Sequence, residues 1–430
     1  MYFNKHVVFT IIFSTQLYSI DFVQLKAFLE ENSKQLEFKK YDIDISKKDL
    51  DIIKSENYPT ISIGFNIEKS ESLEDTLFGS SVGDNSLVTS SLKKSYSAVN
   101  LNYNLYSFGR FDKRKEIQKY AINTNKNEYC LEKKNLTLNL LELYNNSLNY
   151  QIKIENLKKI IDKKSIIYNY KEKLFNSGNI SKLEVTKSAI EVADLYSQIS
   201  ENKKELKSLI NQIRLLTNYN FSKNENLEPL LLQESEDEVK FENTINAKTI
   251  LSQIQAKKSE VLLQEKEFLP NLNLYSKYDV YGYDKDSYKT SIEDMKENSY
   301  KFGLSLSLNL FDGFKTSSEK EKTLLQLKQL QTKYDLERDN FENEILTIND
   351  NYELDLLNKK NRIKALRLSQ RNNEDSLRLK KVGELGQLEI LNSQIEEIYK
   401  KLDYKISEGK LAYEYTKKSI LLGDDKCIVP

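Results

Sequence analysis

The chain has 430 residues, with 65 Lys and Arg balanced by 65 Asp and Glu, so it lacks the polybasic signature of a nucleic-acid binder. Charged residues make up 30%, apolar residues 39%, and only four are proline, which suits long helices with wide wet faces better than a thick globular core. The one histidine, His6, lies in an N-terminal segment expected to be removed, which excludes histidine-based catalysis and histidine metal sites from the mature chain. No catalytic residue, cofactor or metal is expected, and the chain does not read as an enzyme.

Residues 1–19 have the form of a secretory signal. Lys5 and His6 supply a basic start, Val7 to Phe13 an apolar core, and Ser19 the preferred cut. The plainer reading is a short N-terminal helix. The apolar run is far shorter than the ~20 residues of a membrane helix, and no cysteine near the cut could carry a lipid.

A first repeat spans 20–218. Val23, Leu25, Leu29, Leu36 and Phe38 recur at helical spacing, and one or two helices are expected to end before Pro59. The period then changes to two. Ile61, Ile63, Phe65 and Ile67 alternate with polar neighbours in a strand at 58–68, and Val99, Leu101, Tyr103 and Leu105 do so at 96–106. Ser70 to Lys94 between them reads as a polar loop. A corner at Gly109 leads into a helical hairpin over 110–218, broken at Gly178. Cys130 falls on its first helix, and with Cys427 in the tail it fits no metal spacing; the two are expected to stay unpaired.

Residues 219–243, with Pro229 and an acidic run, read as a linker or equatorial segment. A second repeat over 244–423 then reproduces the first: a helix, strands at 270–282 and 299–311, a corner at Gly313, and a hairpin over 315–422 broken at Gly383. Residues 424–430 form a tail. Leu105 to Leu310 and Gly178 to Gly383 are both steps of 205 residues, which marks an internal duplication. Each strand has the length of a tilted strand crossing a bilayer. Tyr58, Tyr96, Tyr103, Tyr106, Tyr275, Tyr278 and Tyr300 serve either as interfacial aromatics or as ordinary strand packing. Four strands cannot close a barrel, for which about eight are needed, and open edges are not tolerated in lipid. If the strands span a membrane, several chains must share one barrel, and three would supply 12 strands.

Several motifs carry a resemblance: Pro59 and Pro270, the corners Leu-Tyr-Ser-Phe-Gly-Arg (105–110) and Leu-Phe-Asp-Gly-Phe-Lys (310–315), and the breaks Gly-x-Ile-Ser-x-Leu-Glu-Val (178–185) and Gly-x-Leu-Gly-x-Leu-Glu-Ile (383–390). In order and spacing they resemble the TolC-like outer membrane efflux protein family over nearly the whole mature chain. The resemblance implies a mostly α fold with a small β part. Duplicated strand-strand-hairpin units would form a trimeric 12-stranded membrane β-barrel continuous with a periplasmic α-helical coiled-coil tunnel.

It further implies an exit duct in the outer membrane of a Gram-negative cell, serving tripartite efflux or type I secretion. The implied partners are two further copies of the chain, outer membrane lipid, a periplasmic adaptor, and an inner membrane pump or ABC exporter. By position, Gly178, Ile180, Ser181 and Leu183, with Gly383, Leu385, Gly386 and Leu388, would be the tips on which the adaptor docks; the glycines also read simply as helix C-caps. Glu184, Glu389 and Asn392 fall where some family members line the tunnel constriction. The plainer reading of both glutamates, stronger for Glu184, is a solvated carboxylate at a helix N-terminus. A family aspartate is replaced by Asn392 and a basic gate residue by Leu385, so a salt-bridged latch of the family's kind is not expected. The other readings are a periplasmic adaptor, which would carry one hairpin rather than two, and a coiled-coil structural protein of the envelope, which would leave the four alternating strands unexplained.

Overall fold

Proline sets where the sheet begins. Pro59 and Pro270 have no N–H to give to a ladder, and strands β2 (Thr60–Glu74) and β5 (Asn271–Asp284) each start at the next residue. These elements belong to a computed structural model that describes residues 19–74, 88–222, 225–230, 240–422 and 427. The signal segment up to residue 18, the acidic run and most of the tail lie outside these residues. In chain order the remaining elements are β1 (Ser19–Ile20), α1 (Phe22–Asn32), α2 (Lys34–Ser55), β3 (Val88–Tyr106), α3 (Arg110–Asn176), α4 (Lys182–Thr217), β4 (Asn226–Leu227), α5 (Ile245–Glu265), α6 (Tyr288–Glu293), β6 (Glu297–Ser307), α7 (Lys315–Lys381) and α8 (Gln387–Leu422). The fold is mostly helical with a small sheet part. Neither α3 nor α7 contains a glycine or proline across 67 residues, so nothing in either run breaks the backbone ladder. No described helix is long and apolar enough to cross a membrane.

The chain divides into two units. One comprises Tyr41–Lys126 and Thr249–Asp335 and holds a four-stranded antiparallel sheet in the order β2-β3-β5-β6. Registered partners share a face, so the alternation read along each strand becomes rows across the sheet. Ile61, Leu101, Ser276 and Phe302 form one row, and Ile63, Val99, Tyr278 and Tyr300 the next. The opposite face carries Ser62, Asn100, Lys277 and Lys301 in register. Among the described residues nothing covers the apolar face at the edges, where Ile63 is 78% exposed and Tyr300 82%, and β2 and β6 each have one unpaired side.

The strands differ from the sequence reading at their ends. β2 continues to Glu74 and β3 begins at Val88, inside the stretch read as a loop, because backbone pairing holds there without apolar alternation; residues 75–87 lie outside the description. β6 stops at Ser307 rather than 311. Its partner β5 starts only at Asn271, so the ladder has nothing left to pair with. The loop before β6 contains α6, which packs against β3 and β5 where small residues leave room. A Cβ on Gly282 would lie 2.3 Å from the carbonyl oxygen of Ser291, and the buried hydroxyls of Ser95 and Ser291 meet at 2.6 Å. Tyr103, Tyr106, Tyr278 and Tyr300 register with the apolar rows, whereas Tyr96 and Tyr275 register with the polar ones.

The other unit comprises the segments up to Lys40, Asn127–Lys248 and Leu336 onward. Leu25, Leu29, Leu140, Leu141 and Tyr144 are fully buried in it. Its second cluster joins Leu157, Ile160, Ile161 and Ile167 of α3 with Leu195 and Ile199 of α4 and Leu391 and Ile395 of α8. The return helix of the second hairpin thus packs on the first hairpin. The stretch read as a linker is part of this unit: β4 pairs in parallel with β1, and Leu227 and Phe241 are buried. The Gln151 side chain acts as a further strand, accepting from Leu227 N at 2.9 Å and donating to its carbonyl at 3.3 Å. The Tyr144 hydroxyl donates to Glu228 O at 2.6 Å. The two cysteines, expected unpaired, are joined as a Cys130–Cys427 disulfide. Lys134 of α3 donates to Leu421 O at 2.9 Å, which brings the end of α8 against α3 one turn from Cys130.

Candidate functional site

The two hairpin tips have the same backbone. Gly178 N–H donates to Phe175 O and Asn179 N–H to Leu174 O, both at 2.8 Å; Gly383 N–H donates to Lys380 O and Glu384 N–H to Leu379 O, both at 3.0 Å. Each pair is a Schellman closure, with φ at +80° for Gly178 and +82° for Gly383. A Cβ on either glycine would meet nothing within 4 Å, so only backbone conformation demands glycine within this chain.

Beyond the caps the tips diverge. Gly178 and Ser181 are exposed and Ile180 half-buried, and Leu183 is 61% exposed. In the second tip Gly383 and Gly386 are exposed and Leu385 half-buried, while Leu388 packs against the cluster that joins α3, α4 and α8. The first tip therefore offers a bare leucine where the second has turned its leucine inward.

Glu184 and Glu389 both occupy the third helical position after their tip. Glu184 lies 3.4 Å from Lys187 Nζ and 3.5 Å from Lys171 Nζ. The charge of Lys187, then the hydrogen bonds from Lys187 and Lys171, hold its carboxyl below the ordinary glutamate range. Lys187 was legible as a partner from its i,i+3 spacing on the same helix, whereas Lys171 was not, since it lies on the opposite arm of the hairpin. Glu389 is exposed and folds back over the start of its own helix: a Cβ on Gly386 would sit 2.6 Å from its Oε2. Asn392 is exposed, and next to it a polar layer crosses α7 and α8, in which Asn373 donates to Glu397 at 2.6 Å and Ser393 to Asn373 at 3.3 Å.

The strand-to-helix corners also repeat, with one exchange. Each needs two consecutive left-handed residues: Phe108 (φ 54°) and Gly109 (φ 81°) in one, Gly313 (φ 67°) and Phe314 (φ 66°) in the other. In register, Phe108 stands opposite Gly313 and Gly109 opposite Phe314, so each corner places its one glycine at a different half of the same turn. Ser107 and Asp312 hold the new helices alike, accepting from the N–H four residues on at 3.3 and 2.9 Å. The following residue, Arg110, is buried against the turn that leads into β5. Its guanidinium donates to Lys266 O and Glu267 O at 3.3 Å, Leu269 O at 2.9 Å and Pro270 O at 3.1 Å, and to Asn271 Oδ1. Sequence reasoning quoted Arg110 only as part of a motif; its signal was a basic residue at the same place in both corners.

Residues 28–218 match the family model described as outer membrane efflux protein. No curated protein matches the sequence. Among solved structures, the Campylobacter jejuni CmeC outer membrane channel superposes with a TM-score of 0.75 at 14% identity, over 94% of this chain and 84% of that one. The open state of the Neisseria gonorrhoeae MtrE outer membrane channel gives 0.74 at 13% identity, over 94% and 88%. The outer membrane protein VceC of Vibrio cholerae gives 0.71 at 10%, over 94% and 95%. At such identities the likeness is one of fold, and it reaches across both repeats. Over residues 28–218 the chain is thus similar to the outer membrane efflux protein family, and over its described length it shares the fold of these outer membrane channels.

Proposed function

We propose that this chain is the exit duct of a tripartite efflux or type I secretion system. Three copies share a 12-stranded barrel in the outer membrane and a helical tunnel in the periplasm. The observation that carries this reading is the sheet, whose four strands are apolar on one exposed face, polar on the other, and open at both edges. An open edge cannot stand in lipid, whereas edges that pair between copies leave none. The pairing of both cysteines suits an oxidising compartment such as the periplasm.

Conduction is passive in this reading. The tips around Gly178 and Gly383 receive a periplasmic adaptor, and adaptor binding together with an inner membrane pump or ABC exporter biases the tunnel end from closed to open. Glu184, Glu389 and Asn392 are the proposed constriction residues. The decisive experiment is purification in detergent followed by mass measurement and planar-bilayer recording. A three-chain particle that conducts is expected; a single-copy particle, or a protein that stays in the aqueous fraction, would overturn the proposal.

A further inference from the structure

We infer that Lys315 is an inter-subunit clamp, reaching from the start of α7 onto the turn before β2 in a second copy of this chain. The inference rests on the shared-barrel reading and names contacts that reading leaves open.

Within one chain the seam between repeats shows how a corner is locked. β3 lies beside β5, and Arg110, just after β3, grips the turn that feeds β5 through carbonyls from Lys266 to Pro270. Five donors on a rigid fork suit that cluster of backbone oxygens. The first repeat has a matching turn before β2. Glu56 N–H donates to Ile53 O at 3.2 Å and Tyr58 N–H to Ser55 O at 3.0 Å, as Glu267 does to Gln264 at 3.2 Å and Leu269 to Lys266 at 3.1 Å. Pro59 follows as Pro270 does. Among the described residues no side chain donates to the carbonyls of Glu56, Tyr58 or Pro59.

Lys315 is the residue that the 205-residue repeat places opposite Arg110. Its side chain is 73% exposed, and its one ion pair among the described residues, with Glu319, is loose at 4.0 Å. One chain thus holds an unused clamp next to its free edge β6, and next to its free edge β2 a turn that Arg114 holds through the Glu56 carboxylate at 2.8 Å but whose carbonyls no described side chain engages. If β6 of one copy lies beside β2 of the next, as β3 lies beside β5, Lys315 arrives at Glu56–Pro59 of that copy. The ammonium would share the Glu56 carboxylate with Arg114, whereas Arg110 lies 3.8 Å from Glu267.

The test uses the full chain in detergent. Lys315→Ala should lower the temperature at which the assembled particle falls to single chains in SDS, Lys315→Arg should match or exceed the native temperature, and Lys322→Ala should leave it unchanged. In a Cys130→Ser/Cys427→Ser background, Lys315→Cys with Tyr58→Cys should give two- and three-chain products with a short bis-maleimide. Assembly with native dissociation in Lys315→Ala and only single-chain product would overturn the clamp while leaving the shared barrel standing. A native protein that is single-copy in detergent would overturn both.

Discussion

Cys130 of α3 is covalently joined to Cys427, 297 residues further along the chain. The chain-entropy account assigns a closed loop of that size roughly 5–6 kcal/mol. That stabilisation acts by constraining the unfolded chain. Leu411, Ala412, Leu421 and Leu422 of α8 are buried, so the folded arrangement does not depend on the bond. Cys427→Ser is therefore expected to cost about 2–5 kcal/mol, read as a fall in Tm with the fold retained. A collapse of the fold on reduction would show that the bond, not the packing, holds α8.

The glycines at 178 and 383 allow docking and capping to be separated. A left-handed β-branched residue costs about 1–2 kcal/mol, while asparagine tolerates that conformation. Gly178→Asn with Gly383→Asn should keep the hairpins folded, as judged by helical content and Tm. If the bare backbone is the docking surface, transport should still be lost. Full transport in this double variant would leave the glycines as caps alone.

Glu389 is exposed at the start of α8, and among the described residues no basic partner meets it as Lys171 and Lys187 meet Glu184. In a conducting particle, Glu389→Ala should weaken block by multivalent cations, and Glu184→Ala should do so less because its charge is already countered. The readout is single-channel block against cation concentration. Equal block in Glu389→Ala and the native protein would make Glu389 a solvated carboxylate only.

Much of this arrangement was legible because proline and glycine are so scarce that their few positions act as punctuation. The runs after Arg110 and Lys315 admit only long helices, and Pro59 and Pro270 sit one residue ahead of their strands. What escaped the sequence has physical reasons. Backbone pairing extends β2 and β3 through polar residues that show no alternation. The disulfide depends on where α8 ends in space, which chain separation does not reveal. The corner glycines fall out of register because the turn needs two left-handed residues and phenylalanine takes one of them each time. At the tips, the motif marked the caps and the i,i+3 spacing offered Lys187 to Glu184, whereas the approach of Lys171 depends on how the hairpin arms meet.

A buried carboxyl on α8 makes stability depend on pH. Glu414 is 8% exposed, and its Oε2 has no hydrogen-bond partner among the described residues. Burial pushes its carboxyl above the ordinary range; Lys417 opposes this, and Asp355, itself paired with Lys410 at 2.9 Å, adds to it. The folded chain thus holds this proton more tightly than the unfolded chain does. Stability should fall as pH rises from the unfolded value through the raised one. Glu414→Gln should raise Tm at neutral pH and flatten that slope. A variant whose Tm runs parallel to the native curve would remove Glu414 as the source.

The two faces of β2 give the sharpest test of whether the sheet meets lipid, because consecutive residues point to opposite sides. Ile63 lies in an apolar row with Val99, Tyr278 and Tyr300, while Ser62 lies in a polar row with Asn100, Lys277 and Lys301. On a sheet surrounded by water, a lysine at either position would be tolerated, since both residues are exposed. In a bilayer the two changes part company. Lysine on the lipid face costs about 2–4 kcal/mol near the midplane, whereas lysine on the lumen face adds to a wet, already basic row. Ile63→Lys is therefore expected to reduce the assembled particle recovered from membranes. Ser62→Lys should leave recovery intact and shift ion selectivity toward anions. Equal recovery of both variants would place the apolar face against water or protein, and the barrel reading would fail with it.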